Sequence, residues 1–187
     1  DFGNGAFNGC KGLKNVTLLT LPKTLKAIGS SAFRDCTIQG KIDYKGDLGD
    51  WCKIKSISSL MWYFKSEGTL YINNKEIKDN LILPNSVDSI PSSAFYNCKK
   101  ISSVKIPKGV KYIGSSAFGN CEKLYDIYCY AQEPPAAHET SFANYNVNLY
   151  VPCESLKDYQ MNPVFGSFKY IQCLDEEEIV EETELPV

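Results

Sequence analysis

Pro84-Asn85-Ser86-Val87-Asp88-Ser89-Ile90-Pro91-Ser92-Ser93-Ala94-Phe95 is followed, 23 residues on, by Pro107-Lys108-Gly109-Val110-Lys111-Tyr112-Ile113-Gly114-Ser115-Ser116-Ala117-Phe118. Pro22-Lys23-Thr24-Leu25-Lys26-Ala27-Ile28-Gly29-Ser30-Ser31-Ala32-Phe33 aligns with both without a gap. Each phenylalanine stands three residues before a cysteine: Phe33 before Cys36, Phe95 before Cys98, Phe118 before Cys121, and, earlier in the chain, Phe7 before Cys10. The unit beginning at Cys98 continues as Ile101-x-x-Val104-x-Ile106-Pro107. Between Ala6 and Ala32 the period is 26, with the three extra residues placed between Val16 and Pro22. A period of this length marks a stacked-repeat architecture.

The spacing within one unit has a physical reading. Val104-x-Ile106 and Val16-x-Leu18 alternate with a period of two, which predicts short strands with one face inward. Pro107 ends its strand because it cannot donate to a ladder. The Val-x-x-Ile-Gly-Ser-Ser stretch crosses the far side, and Ala-Phe-x-x-Cys turns the chain back. One such unit cannot bury its own apolar positions, whereas stacked copies share a continuous core. Phe7, Phe33, Phe95 and Phe118, with Cys10, Cys36, Cys98 and Cys121, are therefore expected to form buried inward ladders, the cysteines as small reduced apolar residues.

These residues resemble the BspA-like leucine-rich repeat family, closely over 2–36 and 81–130. The resemblance implies a right-handed leucine-rich repeat solenoid, β-rich with short parallel strands, turns and little helix. It also implies a secreted or surface-attached bacterial protein, several relatives of which act in adhesion to host proteins or other cells. Residues 42–83, with Tyr44-Lys-Gly46-Asp-Leu48-Gly-Asp-Trp51 and Leu70-Tyr-Ile72, resemble a variant coil of that family. Leu149-Tyr-Val151-Pro152…Tyr159…Phe165…Phe168…Ile171 resembles its closing unit.

The departures define the expected organisation. Cys36 and Cys98 are 62 residues apart, 39 more than one period, so an irregular enlarged coil is placed at about 37–83. No residue after Cys36 repeats the strand pattern in register. A closing unit is placed at about 131–174, the solenoid at 1–174, and an acidic, disordered tail at 175–187. Helix is expected only near Leu48–Ile54 or Ser155–Gln160. Phe2-Gly3-Asn4-Gly5-Ala6-Phe7 aligns with Ile28–Phe33, so the chain reads as part of a longer protein that begins in mid-coil, without a signal peptide.

Composition narrows the function. The 187 residues are 43% hydrophobic and 22% charged, and the longest apolar cluster, Leu60 to Phe64, is five residues. Disorder and a membrane span are excluded for this segment. The net charge of −2 conceals seven acidic residues between Asp175 and Glu184; the remaining chain has 20 bases against 15 acids, a formal +5. Only Arg34 among the bases is an arginine, which argues against base-edge reading of nucleic acid.

Little in the inventory is catalytic. His138, the only histidine, lies in a polar loop, and the only enzyme constellation the inventory permits pairs it with a cysteine nucleophile, for which Cys129 and Cys153 are the nearest candidates. Asp43, Asp47 and Asp50 are spaced like part of a calcium loop but lack its glycine and closing glutamate. No catalytic, cofactor or metal site is assigned. Cys153 and Cys173 flank the closing unit and are read either as a disulfide or as two reduced thiols. Cys52 and Cys129 also lie outside the cysteine series.

The candidate contact residues point outward. Thr17, Lys105 and Tyr128 lie between inward positions and would form one row, with Tyr125 beside it. Trp62 and Tyr63 in the enlarged coil are a second candidate surface, although the favoured reading has Trp51, Trp62 and Phe64 fill that coil's core. The expected function is a non-enzymatic, monomeric protein-interaction or adhesion module, extracellular or on the cell surface. Its partner would be a host or neighbouring-cell surface protein, or a glycan. A structural spacer and a carbohydrate-binding module are the alternatives.

Overall fold

In the computed structural model, which describes residues 1–64 and 69–174, each repeat makes one circuit of a leucine-rich repeat solenoid. The chain forms β1 (Leu18–Leu21), β2 (Lys41–Tyr44), α1 (Leu48–Trp51), α2 (Ser58–Met61), β3 (Leu70–Ile72), β4 (Lys75–Glu76), β5 (Asp79–Ile82) and β6 (Ser89–Ile90). It continues through β7 (Ile101–Ile106), β8 (Tyr112–Ile113), β9 (Asp126–Cys129), β10 (Ala136–Ala137), β11 (Asn148–Val151), α3 (Leu156–Met161) and β12 (Tyr170–Cys173). Strands β1, β2 and β3 are parallel neighbours, and β4 turns back antiparallel to β3. A second sheet runs β5-β7-β9-β11-β12, all parallel, and β6-β8-β10 line the opposite wall.

The Ala-Phe turns explain how each circuit closes. Two residues per turn have positive φ: Ser31 and Asp35, Ser93 and Asn97, Ser116 and Asn120. Gly5 (φ 63°) and Gly9 (φ 69°) hold the same two places in the first turn. Glycine enters this region without steric cost, and asparagine and aspartate enter it more readily than most residues. Three of the turns also bond to the next coil: the amides of Phe7, Phe95 and Phe118 donate to the carbonyls of Ala32, Ala117 and Ser141 at 2.7, 2.9 and 2.8 Å.

The ladders face inward through most of the stack. Phe33, Phe95 and Phe118 are wholly buried, as are Cys98 and Cys121, and Cys36 nearly so. The first turn departs from the expectation: Phe7 is half-buried and Cys10 is exposed. The Phe7 ring packs against Phe2 and Phe33.

The first strand is a further correction. Its inward residues are Leu19 and Leu21, whereas Val16-x-Leu18 lies at the strand's entry and Leu18 is 49% exposed. The three extra residues are absorbed before the strand, next to a 3-10 turn at Lys11–Asn15. Register is therefore counted back from Pro22, giving Leu19-Thr20-Leu21-Pro22 beside Val104-Lys105-Ile106-Pro107.

The long interval after Cys36 holds more regular structure than its sequence suggests. Ile42 and Tyr44 of β2 face inward, so a strand does follow Cys36. Helices α1 and α2 replace the Ala-Phe turn of the third coil; α1 and α3 lie where helix is expected, and α2 does not. Asp47 caps α1, its Oδ1 accepting the Asp50 amide at 2.8 Å. The helices carry Trp51, Leu60 and Met61 into the core, Phe64 follows just after α2, and Trp51 Nε1 donates to the Ala94 carbonyl at 3.0 Å. Trp62 points out at 50% exposure and stacks on Tyr96, with ring centroids 5.0 Å apart. Asn73 and Asn74, both with positive φ, then reverse the chain between β3 and β4.

At the far end, Phe142, Phe165 and Phe168 close the core edge to face. Cys153 and Cys173 are joined by a disulfide, with Cα atoms 4.7 Å apart, which ties β12 to the segment after β11. The reading of 175–187 as a disordered tail lies outside the described residues.

Candidate recognition face

Parallel register brings outward side chains of successive coils into rows on the five-stranded sheet. Ile82, Lys105, Tyr128, Tyr150 and Gln172 occupy equivalent positions on β5, β7, β9, β11 and β12. Tyr128 and Tyr150 stack with centroids 4.7 Å apart and planes 9° from parallel. This separation is close to the spacing of adjacent strands, so the register itself enforces the stack. Lys105 Nζ lies 5.5 Å from the Tyr128 ring centroid, a cation over a π face.

A second row beside it is polar: Asn80, Ser103, Asp126, Asn148 and Tyr170. Ser103 Oγ donates to Asn80 Oδ1 and Asn148 Nδ2 to Asp126 Oδ1, each at 2.8 Å. These cross-coil bonds fix the sheet surface without using the aromatic row. Tyr125, 59% exposed, stands at the edge of this face, and Tyr170, 46% exposed, lies under Lys169 Nζ at 5.1 Å.

Of the residues singled out in the sequence, Lys105, Tyr128 and Tyr125 come together here. Thr17 does not: it precedes β1 in the other sheet, where Thr20 takes the outward position. Trp62 and Tyr63 belong to the α2 side, with Tyr63 half-buried against the core. Tyr150 joins the row without having been singled out, although a signal for it exists. Leu149-Tyr150-Val151-Pro152 repeats Val104-Lys105-Ile106-Pro107, and the residue two before each strand-ending proline is the outward one.

Several titratable groups outside this face take part in structural contacts. Cys129 is buried with its thiol 3.2 Å from Tyr159 Oη, and burial pushes its pKa up. Cys153 is consumed by the disulfide. His138 Nδ1 lies 2.9 Å from Thr140 Oγ1 and accepts the Thr140 amide at 3.2 Å in an exposed turn. Asp43, nearly buried, accepts the Asn74 amide at 3.1 Å and pairs with Lys45, which pins the β3–β4 hairpin to β2. With Asp47 capping α1, the calcium-like spacing has a structural use. Among the described residues no cluster of His, Cys, Asp or Glu is placed to hold a metal ion, and no helix is long and apolar enough to cross a membrane.

Comparison with known proteins bears on the architecture. Residues 1–66 and 67–172 match the family described as the BspA type leucine rich repeat region, in six copies. A leucine rich cell surface protein from Faecalibacterium prausnitzii, solved by crystallography, is 17% identical and superposes with a TM-score of 0.46. The match covers 95% of this chain and 64% of that one, so this chain spans less than two thirds of that protein's length. Among curated proteins no sequence matches.

Proposed function

We propose that this chain, which belongs to the BspA-type leucine-rich repeat family, is a non-enzymatic recognition module that binds a macromolecule on the outward face of its five-stranded sheet. Residues 1–174 would act as one monomeric solenoid, displayed outside the cell or on its surface, and the partner would be a protein on a host or neighbouring cell. The observation that carries this reading is the register-locked row Lys105–Tyr128–Tyr150. Tyrosine rings lose little entropy on contact, and tyrosine is enriched among the residues that dominate the energetics of protein interfaces. The five strands present a row of roughly 19 Å at ~4.8 Å per step, which suits a partner large enough to span several coils. A small metabolite would gain nothing from the repetition.

The test pairs Lys105→Glu with Tyr128→Ala, each verified as folded, against matrix proteins and glycans bound by the unaltered protein. Loss of affinity for a protein partner by about tenfold or more in both variants is expected, since a central hot-spot contact contributes about 2 kcal/mol or more. A ligand found only among the glycans would redirect the reading to carbohydrate recognition. Silence on both panels would favour a spacer. Binding that survives both changes but is abolished by Trp62→Ala or Tyr63→Ala would move the site to the third coil.

A further inference from the structure

Where the regular repeat places Pro107 at the end of a strand, the third coil has Lys45, and where Lys105 points outward it has Asp43. The β3–β4 hairpin folds back beside β2, and the Asp43 side chain is left only 6% exposed. Burying a carboxylate is costly unless it is paired, and two partners meet this one. Its Oδ2 accepts from Lys45 Nζ, and its Oδ1 accepts the Asn74 amide at 3.1 Å.

A third contact joins the two partners to each other. Lys45 Nζ donates to Asn74 Oδ1 at 2.6 Å. A C=O bond is about 1.2 Å long, so Asn74 Cγ lies within about 3.8 Å of the lysine nitrogen. Near-attack conformers hold reacting atoms about 3–3.5 Å apart, a gap that small side-chain torsions close. The backbone fixes the amide in this place. Asn73 and Asn74, with φ of 48° and 67°, form the two-residue turn between β3 and β4, a conformation that asparagine favours. The Asn73 amide in turn donates to the Tyr44 carbonyl at 2.6 Å. An amine, a primary amide and a shielded carboxylate thus meet at one point.

We propose that Lys45 and Asn74 condense into an intramolecular isopeptide bond, with Asp43 as the group that moves the protons. Asp43 takes one proton from the Lys45 ammonium, and the free amine attacks Asn74 Cγ. The Nζ–Cγ bond forms and the Cγ–Nδ2 bond breaks. The proton held by Asp43 and one from Nζ leave with Nδ2 as ammonium, which restores the Asp43 carboxylate. The step involves no oxidation or reduction and no further reactant. Fixing the groups in contact supplies the high effective molarity of an intramolecular reaction, and a carboxylate in contact with the amine serves as general base and then acid. The product staples β2 to the hairpin in the coil where helices replace the Ala-Phe turn. It stands or falls without the aromatic row.

Mass spectrometry of the full chain, with the Cys153–Cys173 bridge reduced, tests the assignment. The unaltered protein is expected to weigh one ammonia less than its sequence, and a protease digest should contain a branched peptide that joins Lys45 to Asn74. Lys45→Arg and Asn74→Ala should each restore the full mass. Asp43→Asn should do the same, since it keeps an oxygen for the Asn74 amide but cannot take up the proton. Asn74→Asp should again yield the branched peptide, now with loss of water, a rescue that a purely structural contact would not produce. The measurement on the unaltered chain needs no substitution, so it decides the matter even where a variant does not fold. Full mass without the branched peptide would overturn the isopeptide bond. So would loss of ammonia with the Lys45 and Asn74 peptides still separate, the signature of a succinimide at Asn74. A branched peptide formed equally well in Asp43→Asn would overturn the role given to Asp43.

Discussion

The coils on either side of the third one carry the same Ala-Phe-x-x-Cys motif but use it differently. From Ala94 onward the phenylalanines stack nearly parallel: Phe95 on Phe118 at 5.4 Å and 11°, and Phe118 on Phe142 at 5.7 Å and 7°. These turns have neighbours on both sides. In the earlier coils Phe7 stacks on Phe33 at 5.0 Å, yet Phe7 is half-buried, Phe2 meets both rings edge-on, and Cys10 is exposed. Between the two stretches the ladder skips a step, and Trp51 on α1 fills the space against Ala94. A motif sets which way a side chain points; burial depends on what the neighbouring coil supplies.

Truncating the rings would expose this contrast most strongly. Phe118→Ala should destabilise by about 3–5 kcal/mol, the usual cost of emptying a closed aromatic site. Phe7→Ala should cost about 1–2 kcal/mol, because a half-exposed ring gives up less buried area. Chemical denaturation would measure both, and equal losses would mean the two stretches are packed alike. Opening the Cys153–Cys173 bridge by changing both cysteines to Ser should cost roughly 3 kcal/mol, from the loop of about 20 residues it closes. Local hydrogen exchange should then rise at β12 and leave β1 to β3 untouched.

Thiol chemistry sharpens the comparison at lower cost to the fold. A thiol reagent should label Cys10 in the native protein, while Cys36, Cys52, Cys98, Cys121 and Cys129 should react only on unfolding. Burial pushes the thiols of Cys52 and Cys121 up from 9.0 to about 12. The folded state therefore retains these protons at a pH where the unfolded chain releases them. Their contribution is intact below pH 9 and is lost as pH rises from about 9 toward 12. Cys121→Val should flatten that alkaline decline, read as denaturation midpoint against pH; an unchanged slope would place the thiol in contact with solvent. The smallest effect belongs to the recognition face, where Lys105→Ala should alter stability by no more than about 0.5 kcal/mol.

Several features of the candidate site are legible in the amino-acid sequence. Lys105 and Tyr128 fall in one row because each lies between two inward residues of a strand. Tyr150 obeys the same rule, and so does Thr20, once counting starts from the proline that ends the strand. Thr17 falls outside the row because three extra residues precede that strand and shift its register, and a shift of an odd number reverses the two faces. Strand β2 stands in register, Ile42 and Tyr44 following Cys36 at the same distances as Val104 and Ile106 follow Cys98; its pattern is obscured because Gln39 takes the place of Ile101 and Lys45 that of Pro107. Composition cannot tell Trp62 from Trp51, since both are tryptophans at the ends of short helices of one coil.

What the amino-acid sequence determined by itself is the repeat: inward Ala, Phe, Cys, Val and Ile at fixed offsets, polar residues able to take positive φ at the turns, and prolines at strand ends. These are local rules of period and backbone conformation, and a single coil is enough to express them. Only the tertiary structure decided which side chains meet across coils. The stack of Tyr128 on Tyr150 and the outward turn of Trp62 depend on how coils of unequal length settle against one another. Contacts between coils join residues roughly one repeat period or more apart, and each insertion between them changes the partner without changing the motif.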